Sequence, residues 1–83
     1  MALVVKIYSL STCSHCSRTK KLLTDCAVQY EFTDLDLLVE KERDAMLEEM
    51  KQFNPACTFP TILIGDRVIV GYREQEIRTA LGL

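Results

Sequence analysis

Residues 3–16 form the stretch LVVKIYSLSTCSHC, which combines a largely apolar run with two cysteines. Its first half, Leu3 to Ser9, is rich in β-branched and apolar residues, which predicts a buried strand. Ser11 and Thr12 are residue types that cap the N-terminus of a helix. The sequence therefore predicts that a strand turns into a helix just before Cys13.

Two amphipathic segments and one alternating segment follow. Apolar positions recur at helical spacing as far as Ala27, which predicts the first helix. Val28 to Asp34 alternates apolar and polar residues and predicts an outer strand with one polar face. Leu38 to Phe53 is rich in Glu, Lys, Leu and Met and predicts a long helix, which Asn54-Pro55 ends. The predicted apolar face of this helix consists of Val39, Met46, Met50 and Phe53.

The C-terminal third has the pattern of a hairpin and a closing helix. Thr61 to Ile64 and Arg67 to Val70 are β-rich runs separated by Gly65-Asp66, which suits a tight turn. After Gly71 a last helix is predicted. Its apolar residues are Ile77, Ala80 and Leu81. The order β-α-β-α-β-β-α predicts an α/β fold with a mixed four-stranded sheet and helices on both faces.

Length and composition indicate a single globular domain and argue against a protein that binds nucleic acid or a membrane. A chain of 83 residues, 48% hydrophobic and 27% charged, predicts one globular domain over residues 1–83. The net charge of −2 gives no broad positive field for nucleic acid or an anionic membrane. The apolar N-terminal stretch is shorter than a spanning helix and lacks the features of an export signal, which predicts a cytoplasmic protein. Arg18, Lys20 and Lys21 are interpreted as a solvated helix face, with attraction of an acidic partner or a raised local potential at Cys13 as the alternative.

The four cysteines point to redox or metal chemistry. A two-disulfide framework suits a small secreted protein with a thin core, but this sequence has enough apolar residues to build a core without one. Cys26 falls on the apolar face of the first helix and is predicted to pack in the core. Cys57 lies in a loop, where several alternatives stay open: a packed or simply exposed thiol, a third redox thiol and a metal ligand.

Cys13-Ser14-His15-Cys16 is a C-x-x-C motif at a predicted helix start. There the first sulfur faces free backbone N–H groups and the positive end of the helix dipole, which favour a thiolate. Cys13 is therefore the predicted attacking group, and Cys16, one helical turn later, the resolving thiol. Thr12 and His15 are candidates to tune Cys13, with an exposed residue of little effect as the alternative for His15.

The motif predicts a thiol–disulfide oxidoreductase that reduces disulfides by two exchanges and needs no tightly bound cofactor. The alternative is an iron–sulfur or zinc protein that uses Cys13 and Cys16, joined by His15 or Cys57. Against this alternative, a second C-x-x-C is missing from the sequence. A third interpretation is a binding module without redox activity, in which Cys13 would react as an ordinary thiol.

The chain resembles the glutaredoxins, and more broadly the thioredoxin-fold redoxins, along essentially its whole length. The resemblance rests on the C-x-x-C motif at a helix start, on Thr58-Phe59-Pro60 before the hairpin and on Gly71-Tyr72 after it. It implies a thioredoxin-like three-layer α/β/α sandwich. It also implies a cis peptide bond before Pro60, with Phe59 and Pro60 forming a shelf that presents backbone groups to an extended substrate.

Three departures from many glutaredoxins concern glutathione. Those proteins hold it with a lysine three residues before the first cysteine, a Gly-Gly pair and a polar pair that starts the last helix. Here these positions are Leu10, Val70-Gly71 and Arg73-Glu74. Arg73 suits a carboxylate and Glu74 an ammonium, so the resemblance implies an altered site. The implied substrate or glutathione-binding residues are Phe59, Pro60, Gly71, Tyr72, Arg73 and Glu74.

The pattern also resembles the glutaredoxin-like proteins that serve ribonucleotide reductase and are recharged by thioredoxin reductase. We therefore expect protein disulfides as substrates and a dithiol protein that is not strictly dependent on glutathione. Its electron donor is expected to be glutathione, acting as a co-substrate, or thioredoxin reductase. A monomer is expected.

Overall fold

The computed structural model describes residues 4–83, and within this range the chain forms four strands and three α-helices. The strands are β1 (Val5–Ser9), β2 (Glu31–Asp34), β3 (Thr61–Ile64) and β4 (Arg67–Val70). The helices are α1 (Ser14–Asp25), α2 (Glu40–Lys51) and α3 (Glu74–Leu81). The predicted start of the first strand, Leu3, lies outside the described residues. No helix in the described range is long and apolar enough to cross a membrane.

The four strands form one mixed sheet in the order β2-β1-β3-β4. Strand β1 pairs in parallel with β2 and antiparallel with β3, while β4 closes the predicted hairpin antiparallel to β3. The turn of that hairpin contains Gly65, whose φ of 60° is a conformation that favours glycine. The predicted α/β fold is confirmed, and β2 is an outer strand as expected.

Helices α1 and α3 pack on one face of the sheet. Because side chains alternate along a strand, every second residue of β1 and β3 points to this face. The buried cluster there consists of Val5, Ile7, Leu22, Leu23, Ile62, Ile64, Ile69 and Ile77. This apolar cluster is the main core, and Cys26 packs against it as a half-buried residue.

Helix α2 covers the opposite face. Its buried cluster is smaller and consists of Tyr8, Leu35 and Met50. A polar contact adds to it, because Glu49 accepts hydrogen bonds from the Tyr8 hydroxyl at 2.5 Å and from Lys6 Nζ at 2.9 Å. The three layers of the predicted sandwich are therefore present, but their two interfaces differ in composition.

The predicted apolar face of α2 is only partly correct. Met50 is fully buried and Met46 packs against the same cluster, whereas Val39 and Phe53 are 65% and 41% exposed. The reason is that α2 is shorter than predicted. Val39 precedes the helix with an extended backbone, and Phe53 follows it in a turn, so neither side chain keeps the helical register.

The second strand is also shorter than predicted. It begins at Glu31 instead of Val28, because Ala27, with φ of 57°, ends the first helical segment in a left-handed conformation. Val28 and Tyr30 still pack against the main core, but from the connecting loop. Phe32, one of the apolar residues of the alternating segment Val28 to Asp34, is 51% exposed at the edge of the sheet.

Candidate active site

Cys13 is the N-cap residue of α1. Its backbone is extended, with φ −84° and ψ 119°, and its Sγ accepts a hydrogen bond from the Cys16 backbone N–H at 3.3 Å. The capping role predicted for Ser11 and Thr12 is wrong, because the cysteine sulfur occupies the position that a serine oxygen would take. The half-buried sulfur of Cys13 therefore meets the positive end of the helix directly.

Cys16 lies one turn further along α1 and is completely buried. Burial, together with its interaction with Cys13, raises the pKa of the Cys16 thiol from the ordinary value of 9.0 to about 12. A thiol with this pKa is protonated at neutral pH. The two sulfurs of the motif thus have opposite environments, one half-exposed at a helix terminus and the other in the interior.

The loop before the C-x-x-C motif is held in place by hydrogen bonds between Ser11 and Asp36, which the sequence analysis does not predict. The Asp36 carboxylate accepts hydrogen bonds from the Ser11 backbone N–H at 2.9 Å and from the Ser11 hydroxyl. These hydrogen bonds lower the pKa of Asp36. Asp36 belongs to a single 3₁₀ turn, Leu35–Leu37, which directly follows β2. No local pattern marks it, since its partner is 25 residues away in the sequence.

Strand register brings several predicted site residues to the same end of the sheet. Tyr8, near the end of β1, is opposite Thr61, the first residue of β3, and Thr61 is opposite Val70, the last residue of β4. The segments that follow β1, precede β3 and follow β4 therefore lie at one end. Gly71 N–H donates to the Pro60 carbonyl at 2.8 Å, which joins two of these segments directly.

The Phe59-Pro60 peptide bond is cis, as the resemblance implies. Pro60 is buried, and Phe59 is half-buried against the cluster of the α2 side, which Leu10 also contacts. Gly71 has φ of 87°, and a Cβ at this position would meet no atom within 4 Å. Glycine is therefore favoured at position 71 by its backbone conformation and not by lack of space.

Asn54 organises the loop that carries these residues, whereas the sequence pattern predicts for it only the end of a helix. Its side chain is buried, and Nδ2 donates to Oγ1 of Thr58 and to Oγ1 of Thr61, both at 3.0 Å. Its Oδ1 accepts from the Ala56 backbone N–H at 3.2 Å. One amide side chain thus joins the end of α2 to the start of β3.

The residues at the start of α3 already have partners. Arg73 is exposed, and its Nε donates to the Val70 carbonyl at 3.1 Å. Glu74 accepts from the Tyr72 hydroxyl at 3.1 Å through Oε1 and from Arg78 Nε at 3.0 Å through Oε2. The hydrogen bond from Arg78 is the largest of the effects that lower the pKa of Glu74. A ligand ammonium would have to compete with these contacts for the Glu74 carboxylate.

Three predicted site residues make none of the contacts described above. They are Thr12, His15 and Cys57. His15 is exposed in the first turn of α1, and Thr12 is exposed just before Cys13. Cys57 is half-buried with φ of 53° and packs against the same cluster as Phe59. Within residues 4–83 no group of three or more His, Cys, Asp or Glu side chains is arranged to hold a metal ion.

Comparison with known proteins assigns the family. The family model described as Glutaredoxin matches residues 5–69. The crystal structure of methanoredoxin from Methanosarcina acetivorans is similar, with a TM-score of 0.90 and 45% identity over 95% of this chain and 84% of that one. A glutaredoxin-like 8.6 kDa protein of the rubredoxin operon of Clostridium pasteurianum is 35% identical over 75 residues, which cover 89% of this chain and 92% of the relative.

A buckwheat glutaredoxin whose crystal structure is a complex with glutathione is a more distant relative. It has a TM-score of 0.75 and 25% identity over 96% of this chain and 77% of that one. The family model covers most of the chain, and the related structures share its sheet and helices. The protein is therefore a member of the glutaredoxin family and a thiol–disulfide oxidoreductase with the thioredoxin-like fold.

Proposed function

We propose that the protein is a dithiol disulfide reductase in which Cys13 attacks and Cys16 resolves. The observation that carries the proposal is the pair of contrasting sulfur environments within one helical turn. Cys13 is half-buried at the N-terminus of α1, and its Sγ accepts the backbone N–H of Cys16, so this sulfur faces the positive end of the helix dipole. Cys16 is buried and keeps its proton.

The reaction consists of two thiol–disulfide exchanges. The Cys13 thiolate attacks one sulfur of the substrate disulfide, and the other sulfur leaves as a thiolate that takes up a proton. Cys16 loses its proton and attacks Cys13, which breaks the mixed disulfide and releases the second substrate thiol. The substrate gains two electrons and two protons, and the protein is left with a Cys13–Cys16 disulfide.

We assign substrate binding to the end of the sheet at which β1 ends and β3 begins. Phe59, Pro60 and Gly71 lie at this end, and an extended peptide can pair with exposed backbone there as an added strand would. Tyr72 borders it from the start of α3. Thr12 and His15 are exposed beside Cys13 and are assigned a tuning role, which for His15 is an imidazolium charge near the thiolate.

For the electron donor we propose that glutathione is not obligatory. The buckwheat relative is a glutathione complex, so this ligand suits the family's fold. In this chain, however, Leu10 provides no cation before the motif, and both Glu74 oxygens are engaged by Tyr72 and Arg78. Arg73 keeps its terminal guanidinium nitrogens for a carboxylate. Thioredoxin reductase remains the proposed alternative donor, protein disulfides are the proposed substrates, and a cytoplasmic monomer is the proposed form.

The decisive experiment offers the oxidised protein two reducing systems in parallel. One is glutathione with glutathione reductase and NADPH, and the other is thioredoxin reductase with NADPH. We expect turnover with thioredoxin reductase and slower turnover with glutathione. Efficient turnover with glutathione and none with thioredoxin reductase would contradict the proposed donor, while the roles of the two cysteines would be unaffected.

The roles of the two thiols are tested by replacing each. Cys13→Ser should abolish reduction of a protein disulfide, while Cys16→Ser should leave a stable mixed disulfide that mass spectrometry detects. In the native reduced protein, brief alkylation should modify Cys13 before Cys16, because a rise of the pKa from 9.0 to about 12 lowers the thiolate fraction of Cys16 about a thousandfold. Cys26→Ser is the matched control and should keep full activity.

A further inference from the structure

A half-buried ion pair joins α1 to the end of β2, close to the active site. Lys20 Nζ lies 2.9 Å from Oδ1 of Asp34, and the side chains are 21% and 12% exposed. The same Asp34 oxygen accepts a 2.5 Å hydrogen bond from Oγ of Ser9 on β1. Lys20 Nζ also lies 4.1 Å from the ring centre of Phe32. Lys20 is thus a fixed charge between a carboxylate and an aromatic ring, and its interpretation as solvated is wrong.

Lys20 shares a helix face with the resolving cysteine. It follows Cys16 by four residues in α1, and residues at this spacing are neighbours on one face of a helix. Burial raises the pKa of Cys16, and the backbone of Leu10 and, less strongly, the Lys20 ammonium oppose this rise. The other titratable group that acts on the Cys16 thiol is Cys13. Lys20 pairs with Asp34 and also acts electrostatically on the exposed Asp36.

The resolving step requires a negative charge on the buried Cys16 sulfur, which a nearby positive charge would stabilise. Cys16 must become a thiolate to attack, and burial of a thiol makes its charged form unfavourable. The loop before the motif, residues 10–12, contains no cationic side chain. Lys20 is the cationic side chain that acts on the Cys16 thiol, and its ammonium is paired with the Asp34 carboxylate.

Resting on the proposed function, we propose that Lys20 stabilises the Cys16 thiolate during the resolving step and that Asp34 is the positioning residue that holds Lys20 there. In that step the Cys16 thiol gives its proton to solvent, and the thiolate attacks the Cys13 sulfur of the mixed disulfide. The bond between Cys13 and the substrate breaks as the Cys13–Cys16 bond forms. The substrate leaves as a thiolate and takes up a proton.

This role predicts effects of opposite sign at the two ends of the ion pair. Lys20→Met removes the positive charge and should slow resolution. Asp34→Asn keeps an oxygen that can accept from Ser9 and Lys20 but removes the negative charge, so the ammonium acts on Cys16 unopposed and resolution should become faster. A merely structural ion pair would instead give slower resolution in both variants.

The test follows the reduced protein with 4,4′-dithiodipyridine, a small aromatic disulfide without a fixed charge, by stopped-flow absorbance. Cys26→Ser and Cys57→Ser in the background leave only the two motif thiols. The first release of thiopyridone reports attack by Cys13, and the second reports resolution by Cys16. The rate of the second phase is measured across a pH series, with thermal unfolding of every variant as the check on folding.

We expect Lys20→Met to slow the second phase about tenfold and to move its pH profile upward by about one unit. Lys20→Arg should restore the wild-type profile, and Asp34→Asn should move the profile downward. Lys21→Met is the matched control, because Lys21 is 77% exposed and pairs with Asp25 on the outer side of the same helix. It should leave both phases unchanged.

Two results would overturn the inference. One is a second phase that neither Lys20→Met nor Asp34→Asn alters. The other is a slower second phase in both variants, with no shift of the pH profile. If Lys20→Met does not fold, the direction of the change in Asp34→Asn decides alone. Loss of the first phase in the wild type would instead contradict the proposed function, so the two failures are distinguishable.

Discussion

The two faces of the sheet are stabilised by different means. On the side of α1 and α3, eight buried apolar side chains form one continuous cluster. On the side of α2, the buried cluster contains three residues, and one of them, Tyr8, makes its key contact through a hydroxyl bound to Glu49. Two apolar residues predicted for the α2 interface, Val39 and Phe53, are exposed.

The apolar side of α1 and α3 provides most of the stability of the fold, whereas the α2 side is followed by a loop that forms part of the site. Apolar burial is insensitive to pH and needs no directional partner, so the side of α1 and α3 provides a stable base for the helix that begins at Cys13. The α2 side depends on polar contacts, and the loop that leaves α2 carries Phe59 and Pro60. Substitutions should therefore have different signatures on the two sides.

The largest expected effect is loss of stability on the side of α1 and α3. Leu23→Ala removes a fully buried side chain from the apolar cluster and should lower the free energy of unfolding by about 3–4 kcal/mol. Met50→Ala, equally buried on the α2 side, should cost about 1 kcal/mol less because its half-buried neighbours can move into the cavity. Urea denaturation measures both. An equal or greater cost for Met50→Ala would contradict the proposed difference between the two faces of the sheet.

A smaller loss is expected in the loop that follows α2. Asn54→Ala removes the donor to Thr58 and Thr61 and the acceptor of the Ala56 N–H, and leaves buried polar groups with fewer partners. We expect a loss of about 2 kcal/mol in the free energy of unfolding. Gln52→Ala, exposed two residues earlier, is the control and should stay within about 0.5 kcal/mol. Similar values for both would exclude an organising role of Asn54.

The smallest expected effect is a pH-dependent change in stability that arises from Glu49 on the α2 side. Hydrogen bonds from Tyr8 and Lys6 lower the pKa of Glu49 below its ordinary value of 4.5. The stability that Glu49 contributes is therefore fully present above pH 4.5 and is lost as the pH falls through the lowered pKa. Because Glu49 is 45% exposed, the contribution is expected to be less than about 1 kcal/mol.

Glu49→Gln tests this directly, since glutamine still accepts hydrogen bonds but does not titrate. The wild type should be more stable than the variant at neutral pH, and the difference should shrink as the pH falls from about 6 to about 3. Leu23→Ala is the control, because its loss of stability should not vary with pH in this way. A constant difference between wild type and Glu49→Gln would contradict a charge contribution.

Prediction from the sequence succeeded where the signal was local and periodic. The strand that precedes Cys13, the hairpin turn at Gly65 and the order of elements follow from side-chain patterns within a few residues. Element ends were less accurate, as at Val28 and Val39, because a residue can remain apolar while the backbone has already left the helix or strand. The cis bond before Pro60 came from family resemblance and not from the local sequence.

The sequence alone determined the order of strands and helices, the position of the C-x-x-C motif at a helix start, and with it the class of chemistry. Tertiary structure decided the rest: that Cys13 itself caps α1, that Asp36 holds Ser11, that Asn54 organises the loop before β3, and that Lys20 lies between Asp34 and Phe32. Each of these contacts except the cap joins segments that only folding brings together. Most of these contacts are hydrogen bonds or ion pairs of polar side chains, which depend on tertiary geometry and leave no periodic pattern in the sequence.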